Sequence, residues 1–231
     1  MIATDLRVAT SELLSSLIQI DTTNPPGNET AAAEYLARYL QEAGVTATLV
    51  GDDPLRQNLV ARIRGRGTGP SLLLLGHTDV VVADRREWSV DPFSGLDRDE
   101  QIWGRGALDM KGQVAAETVA FAALARDGWQ GNGDLVLCAV ADEEVSVGIG
   151  ASWIVEAQPE LVRTDYVLNE GGGERFQYDG RVVYNVDVGE KMCSAFEITV
   201  HGRSAHASGA FIADNALPKI VPVIERIERM A

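Results

Sequence analysis

One imidazole and a set of carboxylates stand directly after short apolar runs, where a folded chain can put them to chemical use. Leu72 to Leu75 runs into Gly76-His77-Thr78-Asp79, and Leu135 to Val140 runs through Ala141 into Asp142-Glu143-Glu144. Asp165 to Leu168 runs into Asn169-Glu170-Gly171-Gly172-Gly173, and Asp109 stands just before a segment of helical composition. Ligand sites in open α/β sheets collect at the carboxyl ends of the strands. A cluster this acidic repels itself unless protons or cations neutralise it, and its nitrogen and oxygen donors suit Zn2+, with Co2+ or Mn2+ as alternatives. Each group alone has a plainer reading: His77 as a hydrogen-bonded histidine at a strand end, Asp109 as a helix cap, Asp142 to Glu144 as a solvated turn, and Glu170 to Gly173 as a glycine loop. Four such groups at one edge of one sheet favour a metal site over those separate readings. The chain carries no G-x-S-x-G elbow, P-loop or H-E-x-x-H helix.

The elements that must hold these groups follow from hydrophobic periodicity. Leu6, Thr10, Leu13, Leu14, Leu17 and Ile18 share one helical face, with Thr4 as the expected N-cap and the turn Asn24-Pro25-Pro26-Gly27 beyond. A second helix is expected from Asn28 or Thr30, with Tyr35, Leu36, Tyr39 and Leu40 inward and Gly44 as its left-handed stop. Short strands Val45 to Val50 and Asn58 to Arg64 follow, then Leu72 to Leu75 as a fully buried central strand. A long loop rich in Trp88, Pro92, Gly95 and Trp103 leads to a helix over Gly112 to Arg126. Beyond it come the strand Leu135 to Val140, a short helix Gly150 to Ala157, and strands Asp165 to Leu168 and Arg181 to Val188. This alternation predicts an α/β sheet. From about Gly189 the pattern changes to a half-exposed strand, Ala195 to Val200, and a helix, Asn215 to Met230, as though a second unit opens there.

Composition bounds the function. The chain has 231 residues, 45% hydrophobic and 23% charged, enough for an ordinary core and unlike a disordered or fibrous chain. Its formal charge of −14 argues against a nucleic-acid partner or an anionic lipid surface. No apolar run approaches the length of a membrane helix, and Asp5, Arg7 and Glu12 interrupt what would be a signal segment, so a soluble, cytoplasmic protein is expected. Cys138 and Cys193 read as small buried apolar groups rather than a disulfide pair.

Five ordered motifs carry a resemblance. They are Gly76-His77-Thr78-Asp79-Val80-Val81, Trp88 with Asp91-Pro92-Phe93, Gly104-Arg105-Gly106-Ala107-Leu108-Asp109-Met110-Lys111-Gly112, Asp142-Glu143-Glu144 and Asn169-Glu170-Gly171-Gly172. Together with Asp21 to Gly27 and His201-Gly202-Arg203-Ser204-Ala205-His206-Ala207, the chain closely resembles the dinuclear-zinc family of metallopeptidases and amidohydrolases. That family includes aminoacylase, acetylornithine deacetylase, succinyl-diaminopimelate desuccinylase and glutamate carboxypeptidase. The resemblance implies a zinc-exopeptidase-like mixed sheet flanked by helices in residues 1–188, and the start of a smaller α+β lid and dimerisation domain in residues 189–231.

It also implies roles. Asp109 would bridge two Zn2+ ions, His77 and Glu170 would complete one site, Glu144 would serve the other, and Asp79 would orient the His77 ring. Glu143 would be the general base that takes a proton from the attacking water and returns it to the leaving amine. His206 would match the lid histidine that reaches across a homodimer to stabilise the oxyanion. The expected substrates are N-acyl amino acids or short peptides, cleaved at an amide. One departure stands out: family members continue further and supply a C-terminal histidine to the Glu144 site, whereas this chain contains only His77, His201 and His206. The chain is therefore expected to be a fragment of a longer protein. The alternative is a truncated, non-catalytic domain that binds metal or acts as an interaction module.

Overall fold

The computed structural model describes residues 3–171, 173, 175–186 and 196–230. The chain divides into two compact units, Met1–Gly172 and Gly173–Ala231.

The first unit opens with helices α1 (Ala3–Gln19) and α2 (Glu29–Glu42), followed by strands β1 (Ala47–Val50), β2 (Asn58–Ile63) and β3 (Leu72–His77). A small hairpin, β4 (Leu96–Arg98) with β5 (Gln101–Trp103), precedes α3 (Lys111–Arg126), β6 (Leu135–Val140), α4 (Ala151–Ala157) and β7 (Tyr166–Leu168). Five strands form one mixed sheet in the order β1-β2-β6-β3-β7. The β1–β2 and β2–β6 pairs are antiparallel, and β6–β3 and β3–β7 are parallel. This is the predicted mixed sheet flanked by helices.

The period-two alternation of β6 explains why all six of its residues are buried. Leu135, Leu137 and Ala139 face a core built with Leu13 and Leu17 of α1, Leu36 and Leu40 of α2, and Val114, Val119 and Phe121 of α3. Val136, Cys138 and Val140 face the other side, where Ile154 of α4 covers them. Cys138 is thus the buried apolar group expected, and burial pushes its thiol up to about 12. Cys193 lies outside the described residues. α2 stops where expected, with Gly44 at φ +77° supplying the left-handed turn.

Several expectations need correction. The central strand is β6, not Leu72 to Leu75; β3 lies fourth of five, and its Leu72 and Leu75 are only half-buried. α1 already runs from Ala3, so Thr4 lies inside the helix rather than capping it. The loop between β3 and α3 contains the β4–β5 hairpin, whose turn residues Asp99 and Glu100 both take left-handed φ, at 56° and 61°. Both central residues of a type I′ turn need that conformation, and Asp-Glu lacks the glycine that usually announces it.

In the second unit, β8 (Arg175–Tyr178) pairs with β9 (Arg181–Tyr184) around Asp179-Gly180, and a 3-10 turn over Ala207–Ile212 precedes α5 (Leu217–Glu228). The expected strand Arg181 to Val188 therefore ends at Tyr184 in a separate two-stranded sheet, and Val188 lies outside the described residues. So do Ala195 and the expected boundary between residues 188 and 189. Residues 196–200 form no strand: alternation makes one only where a neighbouring strand completes the ladder. Among the described residues, no helix is long and apolar enough to cross a membrane.

Candidate metal centre

The parallel register brings the chemistry to one edge. Gly76 pairs with Ala139 and His77 with Val140, so β3 and β6 end side by side. Glu170 follows two residues after β7 on the far side of β3. Asp109 arrives from the segment before α3, across a cis peptide bond to Met110. Gly76 permits that approach: a Cβ there would lie 2.8 Å from Val114 Cγ2 and 3.1 Å from Met110 Cε. Lys111, fully buried, ties the start of α3 to the end of α1 by donating to Leu17 O at 3.0 Å and Ile20 O at 2.8 Å.

His77 is 1% exposed, and its two nitrogens face different partners. Nδ1 lies 3.0 Å from the Asp79 carbonyl oxygen and 3.3 Å from Asp79 Oδ1, both acceptors, so it carries a proton. Nε2 faces the carboxylates: Asp109 Oδ1 at 3.0 Å, Glu170 Oε2 at 3.6 Å and Glu143 Oε2 at 3.7 Å. Ligand atoms of His77, Asp109 and Glu144 lie within 4.8 Å of one another, as do those of His77, Glu143 and Glu170. The Asp109 side chain is 65% exposed, so the cluster has a buried imidazole wall and an open mouth.

Electrostatics follow from this convergence. Burial opposes a charged His77, yet the hydrogen bond to Asp79 and the charges of Asp79, Glu170 and Glu143 outweigh it and raise the imidazole to about 9. Burial also works against the Asp79 carboxylate, but hydrogen bonds from His77, Asn24 and the Glu144 backbone hold it below the usual carboxylate range. Glu144 is pushed up by burial and then by Asp109. Glu170 is pushed up by burial, with Glu143 and Asp109 adding to the effect and His77 opposing it. Four carboxylates around one imidazolium leave the cluster short of positive charge, and nitrogen and oxygen donors at this spacing fit a divalent cation.

Of the expected site residues, the structure brings together His77, Asp79, Asp109, Glu143, Glu144 and Glu170. Asp109 does not cap α3, whose N-cap is Met110. Asp142 turns away from its neighbours: at φ 66° it is buried, and its Oδ2 accepts from Gly148 N at 2.8 Å and Ile149 N at 3.2 Å. His206 belongs to the second unit, where it is exposed and caps the 3-10 turn, with Nδ1 accepting from Ser208 N. Sequence reasoning missed Asn24, Arg56 and Glu29, which are buried behind Asp79 and Asp142. The sequence signal for Asn24 is its place in the Asp21 to Gly27 motif, which carries part of the resemblance.

A mixed sheet with flanking helices and this cluster at its parallel strand ends has the zinc-exopeptidase-like architecture. The chain belongs to the peptidase family M20/M25/M40, whose model matches residues 73–223. It is similar to an M20 family metallo-carboxypeptidase from Sulfolobus solfataricus, with 26% identity and a TM-score of 0.60 over 69% of this chain and 36% of that one. Human carnosine dipeptidase 1 shares the fold at 23% identity and a TM-score of 0.59, over 72% of this chain and 39% of that one. The dipeptidase Dug1p from Saccharomyces cerevisiae does so at 19% and 0.58, over 74% and 41%. The chain thus spans about two fifths of the length of these solved relatives.

Proposed function

We propose that this chain carries most of the metal-binding part of a hydrolase that cleaves amide bonds in short peptides or N-acyl amino acids. The observation that carries this reading is the convergence of Asp109, Glu143, Glu144 and Glu170 on Nε2 of His77. Family membership and the similarity to a metallo-carboxypeptidase support a peptide substrate. His77, Asp109 and Glu170 would hold one Zn2+, and Asp109 and Glu144 the second, with Co2+ or Mn2+ as substitutes. A bound cation would polarise the scissile carbonyl and acidify the attacking water.

The residues of the chain supply the rest. Asp79, holding Nδ1–H, keeps His77 Nε2 turned toward the carboxylates. Glu143 accepts the proton of the attacking water and delivers it to the leaving nitrogen, so the amide departs as a neutral amine. His206 Nε2, free to donate because Nδ1 accepts from Ser208, is the proposed donor to the oxyanion of the other subunit, reached across the homodimer. We assign residues 189–231 to the lid and dimerisation domain of a cytoplasmic homodimer.

Metal-loaded protein should release free amine from a panel of dipeptides and acetyl-amino acids, lose that activity to a chelator and regain it with Zn2+ or Co2+. A second reading rests on the ligand count, since Asp109 and Glu144 alone give the second ion few donors. Under that reading the chain binds metal without turnover, and metal uptake with no amine release across the panel would favour it. Failure to take up metal would overturn both.

A further inference from the structure

Behind His77, on the side away from the carboxylate cluster, the structure holds a continuous chain of buried polar side chains. Asn24 is 3% exposed, and its Nδ2 donates to Asp79 Oδ2 at 2.9 Å and to Asp142 Oδ1 at 3.4 Å. Arg56 donates from Nη2 to the same Asp142 oxygen at 3.4 Å, and from Nε and Nη2 to the carboxylate of Glu29. Glu29 Oε1 in turn accepts from the backbone N–H of Asp142 at 3.3 Å. Asp79 closes the chain by accepting the backbone N–H groups of Glu143 and Glu144, each at 3.1 Å. The strand-end carboxylate that faces His77 Nδ1 and the turn that presents Glu143 and Glu144 are therefore fixed by one network.

Asn24 is itself held rigidly. Its backbone N–H donates to Val80 O at 2.8 Å, and Thr22 Oγ1 donates to Thr78 O at 2.6 Å, so residues 22–24 lie laced along 78–80. Asp79 faces four donors, of which Asn24 is the one that joins it to Asp142. Burying Glu29, Arg56, Asp142 and Asp79 together forgoes apolar packing that would be at least as stabilising. A buried and fully satisfied polar network defines one geometry, which apolar packing does less sharply.

We propose that Asn24 and Arg56 are positioning residues of the metal centre, setting the Asp79 carboxylate and the 142–144 turn so that His77, Glu143 and Glu144 meet in one place. The inference rests on the reading of that centre as a metal site. It gives a function to the Asn24-Pro25-Pro26-Gly27 turn and to Arg56, neither of which touches the cluster.

The test uses Co2+ titration of the purified chain, read both as affinity and as the visible d–d spectrum, which reports ligand geometry. Asn24→Leu keeps volume but removes the donor, and Arg56→Met removes the guanidinium. Each should weaken Co2+ binding by roughly 10- to 100-fold and alter the spectrum, with far-UV circular dichroism unchanged. Arg56→Lys should restore part of the affinity. Arg62→Met is the matched control, since it breaks the ion pair with Asp134 before β6, at the other end of the sheet, and should lower stability without changing the Co2+ spectrum. If Asn24→Leu does not fold, Asn24→Ser is read in its place. Wild-type affinity and spectrum in the folded Asn24 and Arg56 variants would overturn the positioning role alone. Absence of Co2+ binding by the wild-type chain would overturn the metal reading, and this inference with it.

Discussion

Metal uptake at this site should be strongly pH-dependent, because the proton on His77 occupies the nitrogen that a cation needs. With the imidazole raised to about 9, roughly one chain in 100 carries a neutral Nε2 at pH 7. The apparent affinity at pH 7 should then lie about 100-fold below its plateau, or about 2.7 kcal/mol at 1.36 kcal/mol per unit. Log affinity for Co2+ should climb by about one per pH unit from 7 to 8 and flatten only above about 9. Glu144 and Glu170, also raised, add to the slope at the acidic end. A histidine at its ordinary value of 6.5 would flatten soon after pH 7. Competition against a chelator of known affinity, at fixed ionic strength, gives the curve. Calorimetry at pH 7.5 in two buffers of different ionisation enthalpy should count about one proton released per ion. A flat affinity between pH 7 and 8.5, or the same slope in His77→Ala, would refute the argument.

Three further outcomes follow from individual side chains. Glu143→Gln keeps shape but cannot accept a proton, so under the proposed mechanism turnover should fall by about 10² to 10⁴ with metal content intact, whereas Glu144→Gln should lose metal; inductively coupled plasma analysis beside an amine-release assay separates the two. Burial raises Glu117 to about 7, against the opposing hydrogen bond from Gln113, so its contribution to stability is full below about 4.5 and is lost as pH rises through about 7. Glu117→Gln should therefore gain up to about 3 kcal/mol in urea unfolding at pH 8 and little at pH 5, and an equal difference at both would contradict this. Lys111→Met removes the donor to Ile20 O and one of the two donors to Leu17 O, which still accepts from Ile20 N, and should cost about 1 to 3 kcal/mol in the same assay; unchanged stability would contradict this.

What the sequence made legible was what depends on periodicity and on position relative to a strand end. Leu135 to Val140 appears as a strand with its expected bounds, because an unbroken apolar run between polar segments has few other uses in a sheet covered on both faces. His77, Asp109, Glu143, Glu144 and Glu170, which converge in the structure, are legible as polar groups that follow such runs or precede the next helix. Asp142 shows the limit: it belongs to the same acidic triplet, and only its left-handed backbone turns it inward while its two neighbours stay at the cluster. Charged residues whose partners lie far along the chain were illegible. Glu29 at a helix start and Arg56 in a loop each suggest a solvated surface until 27 residues of separation close into one ion pair. The β8–β9 hairpin was overlooked for a different reason, since Asp179-Gly180 is a strong turn signal that the expectation of one continuous sheet obscured.

The proposed function rests on one divalent-cation site around Nε2 of His77. Anomalous diffraction at the zinc edge from crystals of the Zn2+-loaded chain tests it most directly. A peak is expected about 2.0 to 2.1 Å from His77 Nε2, with carboxylate oxygens of Asp109 and Glu170 completing it and any second peak beside Asp109 and Glu144. Zinc bound only at His201 or His206, or no ordered zinc within reach of His77, would contradict it.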